Sequence, residues 1–517
     1  MPRAIGQPLK SYGVFDFSGG LNVKLSATDI GTRPRNKKYL TRANNVIFSS
    51  TGAVAKRLDT ARYNTTTLGA AVAISGGTQF RHSNGTDYMI CGTDDGRLVQ
   101  LNSDGTTANL ETGLTTGTQW FFAIYNNKVI CCNRANAPRK WSGGAVALLG
   151  GSPPSTGGPV VVHSNRVFMF DGTALSTVYW CALNSEEDWT TASNAGNLQI
   201  DPNNSQNLTA MVSATAGELV MAKPGTFYRL QGTAPSTYTI PNVLPALAAS
   251  GCIAPAGMAY AMMDVWAMAS FGVHTLRTVQ AFGDLREDFA SEPIRPYFDL
   301  NTGYTISLQN LASAVALYDK QGAKMLFAVD TNSDNKNDLL MIYDLSTKGW
   351  SLWPSQSIAS MWIVRSATTG HEEIFAGGYD GFVRRLEVAA STNTFTAEAW
   401  HLSALDTPGW EKTPRHLFMH FKEGSATIQV AVNYDFGAGG GQTYPISTLG
   451  NSHTLGVNWV LGTDPLGAQA QVKKRINLSG LAEFVEVRVS NAVAGQNFTW
   501  LGYTLMSRLR RRVLRGT

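Results

Sequence analysis

The sequence predicts an all-β fold, a β-propeller of six or seven blades followed by a C-terminal β-sandwich. Three observations support this prediction. Short apolar or alternating runs end at Gly, Asn, Asp or Pro, amphipathic helical patterns are scarce, and one strand–turn–strand pattern recurs along the chain. With 517 residues, 43% of them hydrophobic and 15% charged, the chain is globular and too long for one ordinary core.

Short β-runs fill the first three quarters of the chain. Each is rich in apolar or β-branched residues and stops at a turn-forming residue; examples are 128–132, 166–170, 218–222, 324–329 and 339–343. Four dipeptides indicate tight hairpin turns, because their glycine adopts positive φ at little cost: Asn84-Gly85, Asp95-Gly96, Asp171-Gly172 and Asp380-Gly381.

A weak internal repeat indicates the propeller. Residues 90–101 align with 375–386, and looser copies lie at 220–230 and 269–276. Each copy has an apolar strand, a turn containing glycine and a second strand ending in Leu, and we expect the apolar strand to be the inner strand of a blade. Related units begin near Lys128, Arg166 and Lys324. The spacing of about 40 to 60 residues is that of four-stranded blades.

Tryptophans near the ends of three units support the same architecture. Trp141, Trp189 and Trp350 are wide enough to fill the space between twisted neighbouring sheets. The Trp-Asp dipeptide of WD40 repeats does not occur in the chain, so the sequence does not indicate that class of propeller.

The hydrophobic pattern of the sequence changes after residue 390. Longer alternating runs appear at 427–432 and 484–489, and Val485, Val487 and Val489 are expected to face a core. We therefore expect three regions. Residues 1–69 form a segment and hairpin that dock on the propeller, 70–390 form the propeller, and 391–517 form the sandwich with a basic C-terminal tail.

Two basic runs are the candidate contact residues. The net charge of +5 is small for this length, but cations cluster near both ends of the chain. The clusters comprise Arg33, Arg35, Lys37, Lys38 and Arg42, and then Arg508, Arg510, Arg511, Arg512 and Arg515. Such clusters are either solvated surface or contacts to phosphate or an acidic partner.

The cysteines indicate reduced, buried thiols. Cys91, Cys131, Cys132, Cys181 and Cys252 form no CxxC pair, and adjacent Cys131 and Cys132 would point to opposite faces of a strand. This pattern favours folding in a cytoplasm. The first residues contain no apolar leader segment, and no run of about 18 apolar residues predicts a membrane span.

One loop carries oxygen ligands at calcium-like spacing. Asp330, Asn332, Asp334 and Asp338 match the first part of a calcium-binding loop. However, Asn335 stands where such loops need Gly, and Met341 stands where they need a bidentate Glu. A polar hairpin loop between two apolar strands explains the segment equally well.

The sequence contains few residue patterns that are typical of catalytic sites. A glycosidase needs two carboxylates about 5 to 10 Å apart, and the densest acidic group, Glu186-Glu187-Asp188, lies on one short segment beside Trp189. His416 and His420 share a face of a predicted strand but stand about 13 Å apart, too far for joint metal ligation. We expect no catalytic residues, no cofactor and no enzyme activity.

An ordered series of motifs carries a resemblance to a known family. It begins with Phe17-Ser-Gly-Gly-Leu-Asn22, Ala43-Asn-Asn-Val46, Gly52 and Lys56-Arg57, and continues through segments 164–170, 178–189, 208–212, 225–232 and 272–276. In this order the motifs resemble the tail nozzle proteins (tail tubular protein B type) of short-tailed phages and the related propeller-type head-completion, or packaged-DNA-stabilisation, proteins. The resemblance spans residues 14 to 390; the basic run at 33–42 departs from it, because more acidic residues are expected there.

The resemblance implies a structural virion protein of the phage tail, assembled in the host cytoplasm. It implies a ring of six copies below the portal and adaptor, contacts to the adaptor and to fibre or needle proteins, and a channel that passes DNA without sequence-specific binding. The alternatives are a carbohydrate-binding or receptor-recognition propeller, since loop aromatics can stack on sugars, and then a glycosidase.

Overall fold

The computed structural model describes residues 9–215, 218–240, 251–276, 289–299, 308–388, 394–404, 410–437, 441–449 and 471–512. Their contacts divide the chain into two units. Unit 1 comprises Met1–Asp59, Ile342–Pro354 and Ala389–Thr517, and unit 2 comprises Thr60–Met341 and Ser355–Val388. Among the described residues, no helix is both long and apolar enough to cross a membrane.

The N-terminal part of unit 1 contains six short strands and one short helix. The strands are β1 (Lys10–Val14), β2 (Gly20–Leu21), β3 (Tyr39–Leu40), β4 (Arg42–Asn44), β5 (Val46–Phe48) and β6 (Val54–Lys56). Helix α1 (Ala27–Thr32) begins after Ser26, whose side chain accepts a hydrogen bond from the Asp29 amide. It ends before Pro34, which starts the 3-10 turn Pro34–Asn36.

Unit 2 consists of consecutive antiparallel sheets. Strand β7 (Asp59–Arg62) precedes them. The first three are β8 (Ile74–Arg81), β9 (Asp87–Thr93), β10 (Leu98–Leu101) and β11 (Thr107–Glu111); β12 (Phe121–Tyr125), β13 (Lys128–Cys132), β14 (Arg139–Trp141) and β15 (Ala147–Leu148); and β16 (Gly157–His163), β17 (Arg166–Asp171), β18 (Thr177–Trp180) and β19 (Gly196–Gln199).

The next sheets follow the same up-and-down order. They are β20 (Ala210–Thr215), β21 (Glu218–Lys223) and β22 (Thr226–Gln231); β23 (Met258–Ala261), β24 (Asp264–Ala269) and β25 (Gly272–Thr275); β26 (Val315–Asp319), β27 (Lys324–Val329) and β28 (Leu339–Asp344), with β29 (Trp350–Trp353) next along the chain in unit 1; and β30 (Ser360–Arg365), β31 (Glu372–Gly377) and β32 (Val383–Val388). Short 3-10 turns lie at Thr191–Ser193, Pro235–Thr237, Glu292–Tyr297 and Leu308–Ser313.

The sheets close into a ring. The first strand of each sheet contacts the first strand of the next, from β8 through β12, β16, β20, β23, β26 and β30 and back to β8. Strand β7, from the start of the unit, completes the last sheet by pairing with β32. Within the part of the chain that the structure describes, the protein is therefore a propeller of seven blades, which confirms the predicted fold class and settles the blade number.

The sequence repeat marks the second strand of six blades, whereas the copy at 269–276 begins at the last residue of β24 and covers β25. Segments 90–101, 220–230 and 375–386 cover β9–β10, β21–β22 and β31–β32, and the units near Lys128, Arg166 and Lys324 are β13, β17 and β27. The expectation that these are inner strands is wrong, because a first strand precedes each of them. The second strand is buried on both faces, so its central residues are all apolar, whereas β8 and β12 mix buried positions with partly or fully exposed ones.

Hydrophobic clusters fill the spaces between neighbouring blades. In β13, Ile130 and Cys132 pack on one side against blade 3, while Val129 and Cys131 pack on the other side against blade 1. This confirms that the adjacent cysteines point to opposite faces. Trp141 and Trp189 are buried in these two clusters, as predicted from their positions at the ends of units.

Glycines at the ends of second strands permit close packing between blades. A Cβ on Gly92 would lie 2.1 Å from the Trp120 ring, which enters from the start of the second blade. A Cβ on Gly377, the equivalent position of the last blade, would lie 2.4 Å from the carbonyl oxygen of Ile74 in the first blade. The repeat therefore contains Gly at this position because the neighbouring chain leaves no room for a side chain.

The C-terminal strands of unit 1 form the β-sandwich with the N-terminal ones. They are β33 (Ala397–Ala404), β34 (Trp410–Lys422), β35 (Thr427–Tyr434), β36 (Gly441–Ser447), β37 (Gln471–Asn477), β38 (Phe484–Asn491) and β39 (Thr499–Arg512), with a 3-10 turn at Asp435–Gly437. The first sheet has the order β37-β34-β39-β6-β5, with β1 also paired to β39. The second sheet, within unit 1, has the order β29-β4-β33-β38-β35-β36, and β2 pairs with β29 and β3.

The core of the sandwich lies between these sheets. Val485, Val487 and Val489 of β38 are fully buried, as predicted from the alternation. His401 of β33 and Tyr503 of β39 join the two sheets through a hydrogen bond of 2.7 Å between Nδ1 and the hydroxyl oxygen.

The observed division differs from the expected regions 1–69, 70–390 and 391–517. Residues before 60 lie in the same unit as the residues after 388, because β1, β4 and β6 pair with β39 and β33. The propeller is thus inserted into the chain of the sandwich. Pairing between strands more than 300 residues apart leaves no local pattern from which the arrangement could be predicted.

Candidate functional site

The acidic group at Glu186 and Glu187 joins two propeller blades. The Glu186 carboxylate forms an ion pair with Lys128 of β13 and accepts a hydrogen bond of 2.7 Å from Asn126 Nδ2. Glu187 pairs with Lys140 of β14. These carboxylates are ion-paired within the fold, which gives them a structural role between blades 2 and 3.

The pKa values of the two carboxyls reflect this pairing. Burial raises the pKa of Glu186, but the hydrogen bonds from Lys128 and Asn126 outweigh it, so the net shift is downward. The hydrogen bond from Lys140 is the main cause that lowers the pKa of Glu187. Both groups are therefore ionised at neutral pH.

Replacing Glu186 with Gln is expected to destabilise the propeller by about 2 kcal/mol at pH 7, because it removes a charge-assisted hydrogen bond to Lys128. Since the folded pKa is lowered, this stabilisation is present above the unfolded pKa of about 4.3 and is lost as the pH falls through the folded pKa. Urea unfolding at pH 7 and at low pH measures both effects. Asp188→Asn, which alters a carboxylate bonded to Thr190, is the matched control; an equal loss in both variants would contradict the assignment.

The oxygens of the predicted calcium loop accept hydrogen bonds from the loop itself. Asp330, 1% exposed, accepts from the amides of Asn332, Ser333 and Asn335 at 2.9, 2.9 and 2.7 Å. The Asp338 carboxylate accepts from the amide and hydroxyl of Thr331. Asn332 and Asp334 likewise accept from the amides two residues on. Among the described residues, no group of three or more His, Cys, Asp or Glu side chains is arranged to hold a metal ion.

All five cysteines are buried free thiols, as predicted. Burial raises the pKa of Cys181 to about 11 and those of Cys132 and Cys252 to about 12. Thiols that stay protonated are poor nucleophiles and poor metal ligands. The cysteines therefore serve as small apolar side chains between the blades.

A cavity of about 290 Å³ lies between the last two blades of the propeller. Its lining includes Asp319, Glu373, Arg385 and Glu387. Arg385 pairs with Glu373 at 3.2 Å, and Lys324 pairs with Glu387 at 2.5 Å. The lining residues include no aromatic ring, so the cavity lacks the stacking surface that sugar binding favours.

The N-terminal basic run has two parts. Arg33, Arg35 and Lys38 are exposed, with Arg33 paired to Asp29 at 3.4 Å. Lys37 is partly buried, and its carbonyl oxygen lies 2.7 Å from Nε2 of His401.

Arg42, in contrast, has structural partners. It pairs with Glu398 at 2.7 Å and lies 4.6 Å from the Trp400 ring, on which Arg488 also stacks. Arg33, Arg35, Lys38 and Arg42 are all exposed, but Arg42 is also held by an ion pair and a ring.

The C-terminal arginines belong to a strand rather than to the expected tail. Strand β39 continues to Arg512, so Arg508, Arg510, Arg511 and Arg512 lie within it, and Arg508 is opposite Thr413 of β34. Arg515 lies outside the described residues. The correction has a simple reason: residues 499–507 form an apolar alternating strand, and its pairing with β34 extends into the arginines.

A larger basic surface surrounds Arg508. On the outward side of strands β37, β34 and β39 lie the residues that we call the basic face: Lys422, Lys473, Arg475 and Arg508, with His416, Phe418 and His420. Register places Lys473 opposite His420, and Arg475 opposite Phe418. The alternating residues, such as Leu417, Met419 and Leu505, are buried in the sandwich core.

The charged side chains of the basic face are all positive. Segments 412–422 and 499–508 and strands β37 and β1 contain no Asp or Glu. The Lys473 ammonium lies 4.6 Å from the centroid of the Phe418 ring. Burial, and then the charge of Lys473, lower the pKa of His420, so its imidazole is neutral at pH 7.

Sequence reasoning missed Lys422, Lys473 and Arg475. Each lies in a short segment of ordinary composition, and the surface forms only when β37 pairs with β34. The absence of Asp and Glu from β37, which contains three cations, was the available signal.

Comparison with known proteins does not assign a family. No family model or curated relative matches the sequence. The chain is similar to several solved structures, including the computationally designed Ika8 protein (TM-score 0.38, 11% identity, covering 63% of this chain and 100% of that chain). A second is YCF48 from Cyanidioschyzon merolae, with a TM-score of 0.39 and 10% identity, covering 64% of this chain and 98% of that chain. A third is the WD40 β-propeller domain of Doa1, with a TM-score of 0.37 and 11% identity, covering 61% of this chain and 96% of that chain. At these scores the fold assignment rests on the strand order described above.

Proposed function

We propose that this protein is a structural virion protein, a phage tail nozzle or hub subunit that forms a ring of six copies and continues the DNA channel. The proposal rests on the ordered motif series, which resembles such proteins from residue 14 to residue 390. In this role the chain positions neighbouring subunits and guides DNA mechanically, without a catalytic step.

The observation that carries the proposal is that the motif residues occupy architectural positions. Phe17 of the first motif is fully buried, and Asn45 of the next one accepts a hydrogen bond of 2.8 Å from Arg57 Nε and donates one of 2.9 Å to the Thr396 carbonyl. Later motifs cover strands β17, β18, β22 and β25 of the propeller. Buried and hydrogen-bonded residues such as these stabilise the fold, and an assembly protein requires a stable fold.

The modest net charge supports passage of DNA rather than tight binding along a channel. Contacts between phosphates and many cations add a large favourable free energy that would slow movement of the duplex. A net charge of +5 over 517 residues is compatible with a wall that does not hold DNA.

The ring is tested by measuring the mass of the purified chain in solution and by imaging it with electron microscopy. We expect a species of six times the 55.7 kDa chain with a central opening. Antibody labelling of virions should place it at the tail. A stable monomer that cleaves a polysaccharide would overturn the proposal, and specific capture on a glycan array would favour the carbohydrate-binding alternative.

A further inference from the structure

We infer that the basic face binds single-stranded nucleic acid, with its cations contacting the phosphate backbone and the Phe418 ring stacking on a base. The inference concerns one sheet of a single protomer, so it does not depend on formation of the ring. It rests on the charge of the β37–β34–β39 surface and on the rings that lie between its cations.

The first argument is the unbalanced charge. Lys422, Lys473 and Arg475 are exposed and Arg508 is partly exposed, while the segments of this sheet named above contain no carboxylate. On the propeller, Lys128, Lys140 and Lys324 each pair with a glutamate. Glu423 follows Lys422 in the sequence, but Lys473, Arg475 and Arg508 share the face with Lys422, and this excess of positive charge favours a polyanion as the partner.

The second argument concerns the groups between the cations. Phe418, His416 and His420 lie on β34 between the cations of β37 and β39. The ring of Phe15, 51% exposed, contacts His420 with centroids 5.2 Å apart. Aromatic and imidazole rings among cations suit stacked bases, whereas the centre of a protein interface is more apolar and less charged.

The third argument is the contact between Lys473 and Phe418. The ammonium covers the ring at 4.6 Å, an attraction worth about 1 kcal/mol or less at an exposed site. A phosphate attracts the ammonium more strongly and would draw it away from the ring. The uncovered face of Phe418 can then stack on an unpaired base, which selects single strands over duplexes.

Nucleic acid held on this face would not slide freely. The face is therefore unsuitable as part of a channel wall along which a duplex passes. We assign to it the binding of nucleic acid that stays attached to the protein.

The experiment titrates a fluorescent 20-nucleotide oligothymidine with the full-length protein at several salt concentrations. With four phosphate contacts, the plot of log affinity against log salt should have a slope of about −2.8. Lys473→Gln with Arg475→Gln should reduce the slope by about 1.4 and weaken binding roughly 25-fold at about 0.1 M salt. Phe418→Leu should weaken binding of the single strand about fivefold or more and leave duplex binding unchanged.

The matched control is Lys320→Gln with Lys336→Gln, which removes two exposed cations of the propeller and should leave the affinity and slope unchanged. Thermal unfolding and ring formation are measured for every variant, so that loss of binding is separated from loss of folding or assembly. The inference is overturned if the two double variants bind alike, if polyglutamate competes as well as the oligonucleotide, or if Phe418→Leu has no effect.

Discussion

Replacing Asn64 with Leu is expected to destabilise the propeller by about 3 kcal/mol. The Asn64 side chain forms hydrogen bonds to the last blade at the place where β7 closes the ring. Asn64 is 2% exposed. Its Nδ2 donates to the carbonyls of Thr66 and Gly381 at 2.7 and 3.0 Å, and its Oδ1 accepts from the Val383 amide at 2.7 Å. Leucine has a similar size but would leave a buried donor and buried acceptors without partners.

Two measurements check this effect. Thermal or urea unfolding should show the loss of stability, and hydrogen exchange should show it first as faster exchange in β32, which the closing strand β7 joins. Asn84→Leu, at an exposed hairpin, should change stability by no more than about 0.5 kcal/mol. Unchanged protection of β32 in the Asn64 variant would show that closure does not depend on this side chain.

Acidification from pH 6.5 to pH 4 is expected to destabilise the sandwich by about 3 kcal/mol through His401 alone. His401 is fully buried; its Nδ1 lies 2.7 Å from the Tyr503 hydroxyl, and its Nε2 lies 2.7 Å from the Lys37 carbonyl oxygen. Burial lowers its pKa to about 4. Below the unfolded pKa of about 6.5 the unfolded chain gains a proton that the folded chain does not accept until about pH 4, so stability falls across that window.

His274 of the propeller also has a pKa lowered to about 4 by burial, so the measurement must resolve the units. Hydrogen exchange of β33 and β39 between pH 4.5 and 7, corrected for the intrinsic exchange rate, reports on the sandwich. His401→Gln, which does not titrate, should remove most of the pH dependence of these strands and leave that of β25 unchanged. An identical pH profile in the variant would contradict the assignment.

The sequence predicted the propeller through its second strands and missed much of the rest for physical reasons. Strands such as β13 and β27 are covered on both faces and are therefore apolar after their first residue. The first strand β8 contains Gly76 and Gly77, whose Cβ atoms would collide with Trp120 and Trp362, so its composition does not indicate a strand. The pairing of β4 and β6 with strands near the opposite end of the chain follows from tertiary structure alone.

The candidate site was predicted only in part. Arg508 was identified because arginines adjoin it in the sequence, whereas Lys473 and Arg475 lie in a different segment and join it only through β34. The Asp330 loop has the right residue types for calcium, but its backbone amides supply hydrogen bonds to the same oxygens. Residue types and spacing cannot distinguish these two uses.

The antiparallel pairing of β1 with β39 determines how the chain bears mechanical load. Lys10 lies opposite Ser507, and Val14 lies opposite Tyr503, so a pull on the two ends of the chain peels β1 away one hydrogen bond at a time instead of shearing all of them together. The propeller, inserted between residues 59 and 389, carries tension only after the sandwich has opened. When the chain is pulled from its ends, the sandwich should therefore open first while the propeller keeps its closed form.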